Sequence, residues 1–356
     1  MRRPRIPPSS FPPAFTTRQA TRAGMGQLKT DSPYFFRHSY GVWGPATAVG
    51  AAPPSGHRAR LELVAKANAL ASLLPGSAVT HETAAVLLGM PLPPRGAFAS
   101  PSAPAGAPAP AGSSVNAAAS VKASAGSPHS VASGTLHFAR SAAANTSRRK
   151  EVKVWRTNVP AEDLVRLEGL DPPVTSIRRT LLLLARTWSV PDLVCAVDWA
   201  VRIPRFTYED RLEPYARLPE LSAWLSSLGP VKGKRALAEA VSLARVGSDS
   251  PQETRLRLAL AEAGLPEPVC NPTLLSAEGR PLPPPDLAFP EWRVAVEYQC
   301  AHHFGESRSK ADIDKRALLE DAGWLLVEVH AGMAWPTWSP AVERIRRGLR
   351  SRGAPC

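Results

Sequence analysis

Between about Arg95 and Gly134 the sequence is almost entirely Ala, Pro, Ser and Gly, with Phe98 as its one aromatic residue and no acid. Such a run cannot bury enough apolar surface to offset the entropy of ordering it, so 95–134 is expected to be a disordered insertion. Folded structure therefore has to come from the residues on either side. The 356 residues suffice for two domains or three, and 44% hydrophobic content allows a buried core. The 38 prolines keep long parts of the chain out of regular structure.

A net charge of +13 favours a polyanionic partner, nucleic acid ahead of a membrane. A GC-rich genome would inflate Arg to the same total without selecting any partner, so where the charge lies says more than its sum. Cys195, Cys270, Cys300 and Cys356 form neither a close pair nor metal-finger spacing, as expected of a reducing cytoplasm rather than a disulfide or structural-zinc scaffold. The basic N-terminus has no apolar segment behind it, and no apolar run approaches the roughly 20 residues of a membrane helix. The expectation is a soluble, cytoplasmic protein with no membrane partner.

Residues 1–50 read as a winged-helix-like region. Phe15 to Ala20 carry a Ser/Thr-type cap before a helix, Gly24 to Gly26 turn the chain, and Gln27 to Ser32 form a second short helix or a loop. Two aromatic strands follow around a turn, ending at Trp43. Arg18, Arg22, Lys29 and Arg37, opposed only by Asp31, suit phosphate contacts; an aromatic hairpin packing as plain core explains the same pattern. Residues 51–94 are helical, with an amphipathic helix from Arg60 and a second one capped by Thr80 and stopped by Gly89. His81, at that helix start, reads as a capping or packing residue. Residues 135–245 are mainly helical after two strands, with helices expected at 160–167, from a cap at Thr175 or Ser176, at 190–201, at 218–228 and at 234–244. The Lys232–Arg235 cluster suits phosphate or a solvated helix entry.

Residues 246–356 follow the order helix, three strands, helix, strand, helix. Ser250, Pro251 and Glu253 stand where an N-cap, a first-turn proline and a capping-box glutamate belong. Val269 to Leu275 is an edge strand because of Pro272. Arg293 to Gln299 alternates: Val294, Val296 and Tyr298 on one face, Ala295, Glu297 and Gln299 on the other. With Pro290-Glu291-Trp292 closing a hairpin, Asp286 should lie about opposite Val296 and near Glu297. Two such acids need a proton or a cation between them, and a divalent metal is the obvious candidate.

That order, with Asp286 on one strand and Glu297-Tyr298-Gln299 on the next, resembles the restriction-endonuclease-like nucleases, whose signature is Pro-Asp, a spacer and (Asp/Glu)-x-Lys. It is more closely similar to the very-short-patch-repair-like endonuclease domains of unknown function. Their Glu-Tyr, His, Asp, basic and Gly-Trp positions fall on Glu297-Tyr298, His303, Asp312, Lys315 and Gly323-Trp324. The N-terminal half is similar to AbiEi-type antitoxin regions through Phe15 to Ala20, Tyr40 to Trp43, 79–89 and 175–180.

The nuclease resemblance implies an α/β domain of αβββαβ core and metal-dependent hydrolysis of DNA. Asp286 and Glu297 would be ligands for Mg²⁺ or Mn²⁺, and Glu253 the first-helix glutamate that joins them or merely a capping residue. His303 would orient a water or a phosphate, and Lys315 would contact phosphate. Gln299 stands where the nuclease signature has Lys and supplies neither charge nor base; Cys300 stands where the closer family has Gly. Those departures keep a second reading open: a DNA-binding regulator or antitoxin with a cognate toxin partner and a degenerate nuclease fold. A third is a toxin–antitoxin interaction protein without DNA contact.

Overall fold

The computed structural model describes residues 11, 14–25, 35–39, 42–45, 56–94, 135–141, 147, 149–205, 209, 211–299, 310–333 and 337–356. The insertion expected at 95–134, the helix or loop expected at 27–32 with Lys29, and Cys300, His302 and His303 lie outside the described residues.

The chain begins with β1 (Phe15–Thr16), α1 (Thr17–Arg22), β2 (Phe35–Ser39) and β3 (Val42–Pro45), in an antiparallel sheet of order β1-β3-β2. Thr16 starts α1 with a reciprocal cap. Its hydroxyl accepts the Gln19 N–H at 3.1 Å, and the Gln19 side chain accepts the Thr16 N–H at 2.6 Å. Phe15, Ala20, Phe35 and Trp43 form the small core beneath.

A five-stranded sheet of order β6-β5-β4-β8-β7 comes next. It holds β4 (Ala78–Val79), β5 (Leu136–Arg140), β6 (Val152–Arg156), β7 (Leu164–Val165) and β8 (Val174–Thr175). It packs with α2 (Gly56–Ala71) and α3 (His81–Leu88) around Leu63, Leu70, Val79, Leu136 and Phe138. β4 pairs with β5, so this sheet and its core join residues across the division expected at 94 and 135. The helix expected at 160–167 is instead a 3₁₀ turn, Ala161–Asp163, running into β7. There β-branched Val165 gains ladder partners on β8 that a lone helical turn could not supply.

The helical layer holds α4 (Ile177–Leu184), α5 (Val190–Val201), α6 (Leu218–Ser227) and α7 (Lys234–Leu243). Ser176 and Ser189 cap the first two through the N–H groups of Arg179 and Asp192. Gly233, at φ +91°, enters α7 so close to α4 that a Cβ would lie 2.6 Å from the Leu182 carbonyl oxygen.

The C-terminal part contains α8 (Pro251–Glu262), β9 (Val269–Cys270), β10 (Leu274–Leu275), β11 (Pro281–Leu282), β12 (Leu287–Phe289), β13 (Val294–Gln299), α9 (Lys310–Asp321), β14 (Leu325–His330) and α10 (Ser339–Ser351). Its main sheet has order β14-β13-β12-β9, with β13 and β14 parallel and the other pairs antiparallel. Alternation sorts the side chains. Leu287, Phe289, Val294 and Val296 pack with Leu256, Leu260, Ile345 and Leu349 of α8 and α10. Ala288 and Ala295 face the other way, onto Leu319 of α9 and Trp324. The single strand expected at 269–275 is broken into β9 and β10 around Asn271, which takes a left-handed conformation at φ 43°.

Buried charge ties this part to the helical layer. Asp198 of α5 accepts hydrogen bonds from Arg257 and Thr254 of α8, each at 2.9 Å, and from the Arg245 N–H at 2.7 Å. Burial pushes the Asp198 carboxyl up despite Arg257, as expected for a pair held at the cost of losing water. Among the described residues, no helix is long and apolar enough to cross a membrane.

Candidate functional site

Three acids from three elements meet at the end of the C-terminal sheet. Asp286 immediately precedes β12, Glu297 lies in β13, and Glu253 comes from the first turn of α8. The hairpin register places Leu287, not Asp286, opposite Val296. The expected pairing is off by one because the connection uses a 3₁₀ turn plus Arg293 in a left-handed conformation. Asp286 thereby moves one step along the strand, and its Oδ2 accepts the Tyr298 N–H at 2.7 Å.

The Glu253 side chain does not close a capping box on the Ser250 N–H. Ser250 does cap α8 by accepting the Glu253 N–H at 3.2 Å. The Glu253 carboxylate, however, accepts from the Asp249 N–H and the Asn271 side chain, both at 2.9 Å. Asn271 also donates its backbone N–H to the Asp286 carbonyl at 2.9 Å, so one left-handed asparagine bridges two of the acids. Arg205, from the segment after α5, donates to Asp249 and to the Asn271 side-chain oxygen.

The electrostatics follow from crowding. Burial, then repulsion from Asp286, pushes Glu253 up to about 8, against hydrogen bonds from Ser250 and Asn271 and the charge of Arg205. Burial and Asp286 likewise push Glu297 up to about 7, against Lys315. Asp286 is itself raised by burial, opposed by the Tyr298 N–H and by Lys315 and Arg205. These acids are close enough to feel one another and carry too little neutralising charge.

Lys315 is the partner they do have. Glu297 and Gln299 occupy the sheet face toward α9, and α9 sends Lys315 Nζ to 2.6 Å from Glu297 Oε1 and 2.8 Å from the Pro284 carbonyl. That carboxylate oxygen has no other hydrogen-bond partner among the described residues. Lys315 remains about a quarter exposed, with 26% of its side chain accessible. Gln299 donates to Glu328 Oε1 at 3.0 Å, across the parallel β13/β14 pair, where Arg316 also binds Glu328.

An all-oxygen donor set of Asp286, Glu297 and Glu253, short of positive charge, fits a hard divalent cation. Among the described residues, no three His, Cys, Asp or Glu side chains already stand as a cage for one ion. At the N-terminal end, Arg18 and Arg22 are exposed on α1, and Arg37 lies in β2. Asn271 and Arg205 escaped the sequence reading because nothing local marks them; only the break in the edge strand at Asn271-Pro272 hints at the first.

Comparisons with family models, curated proteins and solved structures give no match.

Proposed function

We propose that the C-terminal part is a metal-dependent DNA endonuclease of the restriction-endonuclease-like class. The observation that carries this reading is the meeting of Asp286, Glu297 and Lys315 at one sheet end, with Glu253 behind them. Asp286 and Glu297 hold Mg²⁺ or Mn²⁺ in this reading, and Glu253 adds an oxygen donor through its raised carboxylate. The chemistry such an ion supplies is polarisation of a phosphate oxygen and activation of water. Lys315 takes the role that the signature lysine has at the position of Gln299. It reaches the same carboxylate from α9 instead of from two residues along β13, stands beside the developing phosphate charge, and stays accessible to substrate. Gln299 is engaged with Glu328 and acts by holding β13 to β14. Arg18 and Arg22 supply phosphate contacts at the other end of the chain.

A specific observation favours a second reading, a DNA-binding regulator. Lys315 already pairs with Glu297, which lessens the demand for a metal. Supercoiled plasmid incubated with Mg²⁺ separates the two. On the nuclease reading the wild type nicks it, Asp286→Ala falls by roughly 100-fold or more, and Lys315→Met falls by roughly 10- to 100-fold with metal uptake retained. Equal nicking by wild type and Asp286→Ala sinks the nuclease. Calorimetry showing no Mg²⁺ or Mn²⁺ uptake, together with a duplex mobility shift at low salt, leaves the regulator.

A further inference from the structure

A second cluster, on the five-stranded sheet, has no part in that chemistry. His81 opens α3 and is fully buried, at 0% exposure, in a left-handed conformation with φ 48°. Strain of this kind in a non-glycine residue persists only where the surroundings enforce it. Its ring stacks on the Trp155 indole at 3.9 Å and 9°, yet neither ring nitrogen has a hydrogen-bond partner among the described residues. The Thr80 hydroxyl and the Trp155 indole N–H beside it are likewise buried and unpartnered there. Buried polar groups are normally satisfied, so several without a partner among the described residues around one ring call for a further partner such as an ion or a water.

The neighbours of His81 are held in place. His137, on β5, lies edge-on to His81 with ring centres 5.9 Å apart. Its carbonyl accepts the Thr80 N–H at 3.0 Å, and its own N–H donates to Thr83 Oγ1 at 2.8 Å, so β5 is clamped to the start of α3. Glu82 touches His137 Nδ1 through one oxygen and accepts the Trp188 indole N–H at 3.3 Å through the other. Two imidazoles sharing one tetrahedral zinc, with Zn–N bonds of about 2.0–2.1 Å, have ring centres roughly 5 Å apart. The observed 5.9 Å is wider than that, so the two rings must close by about 1 Å on a shared ion.

We propose that His81, Glu82 and His137 form a binding site for a transition-metal ion of the zinc class, distinct from the carboxylate site on the C-terminal sheet. Two imidazoles and one carboxylate are the borderline-soft N,N,O set that zinc prefers, whereas magnesium takes oxygen alone. As placed, the three side chains do not yet make a cage. A half-turn of the His81 ring about χ2 keeps the Trp155 stack and exchanges its nitrogen and carbon edges, while the Glu82–His137 contact opens to admit the ion. Trp155 and Trp188 then act as the outer shell that orients ring and carboxylate. Glu82 supplies the negative charge a dication needs in a setting where Lys153 and Arg186 also lie against Trp155.

The test loads the full chain with Zn²⁺, dialyses it and counts metal by mass spectrometry, with folding followed by circular dichroism. About one equivalent is expected in the wild type and in an Asp286→Ala/Glu297→Ala double variant, and its loss in His81→Gln and His137→Gln. Should the histidine variants fail to fold, X-ray absorption of the zinc-loaded wild type decides: imidazole scattering supports the site. An all-oxygen shell, no retained zinc in folded wild type, or zinc retained by both histidine variants overturns it.

Discussion

Glu253, Asp286 and Glu297 are raised acids, and the sign of their effect on stability is definite. A carboxyl whose folded pKa lies above its unfolded value, about 4.3 for Glu, binds more protons in the folded chain than in the unfolded one between those two values. With Glu297 near 7 and Glu253 near 8, metal-free protein should lose stability as pH rises from about 4.5 through 8. Calorimetric Tm values across pH 5–9 in chelator check this; the Glu253→Gln variant should decline less steeply, and a rising Tm over that range would refute the assignment. Asp198 and Arg257 make the second residue-scale case. Removing one partner strands the other buried charge, so Arg257→Met should cost about 3–5 kcal/mol by urea unfolding. A change below about 1 kcal/mol would mean that the pair is not desolvated as described.

Among the elements, α8 and α10 clamp the sheet that presents the acids. Gly348 of α10 sits so near β14 that a Cβ would lie 2.9 Å from Val327 Cγ2. Gly348→Leu should therefore cost about 1–3 kcal/mol through forced separation of helix and sheet. Thermal unfolding reads this, and an unchanged Tm would show that the approach is looser. The α8 cap is a milder lever: Ser250→Ala should cost about 1 kcal/mol, measured the same way. Elements of this kind were legible beforehand. Ser-Pro-x-Glu marked the start of α8, the alternation in 293–299 assigned each residue of β13 to its face, and 190–201 matched α5. Local pattern misleads where partners outside the segment decide the structure. Residues 164–165 became a strand because β8 was there to pair with, and the 269–275 strand broke because Asn271 was recruited to Glu253 and Asp286.

For the whole molecule, β4 and β5 belong to one sheet although 95–134 separates them in sequence. The pairing is carried by the residues that flank the insertion, and loop-closure cost changes by only about 0.6 kcal/mol per doubling of length. Replacing 98–131 with a short Gly/Ser segment should leave Tm within about 3 °C. A large drop would show that the insertion packs on the sheet.

Local pattern by itself determined where the longer helices and β13 lie, which face of β13 is polar, and that Asp286 and Glu297 lie close together, because periods of 3.6 and 2 and the chemistry of caps act within a few residues. Only tertiary structure decided that Lys315 answers Glu297, that Glu253 accepts from Asn271, and that His81, which reads as a capping or packing residue, packs on Trp155 with no hydrogen-bond partner for its ring nitrogens among the described residues. Each depends on side chains brought together from distant parts of the chain. Packing and burial, which no local window contains, set both their distances and their charge.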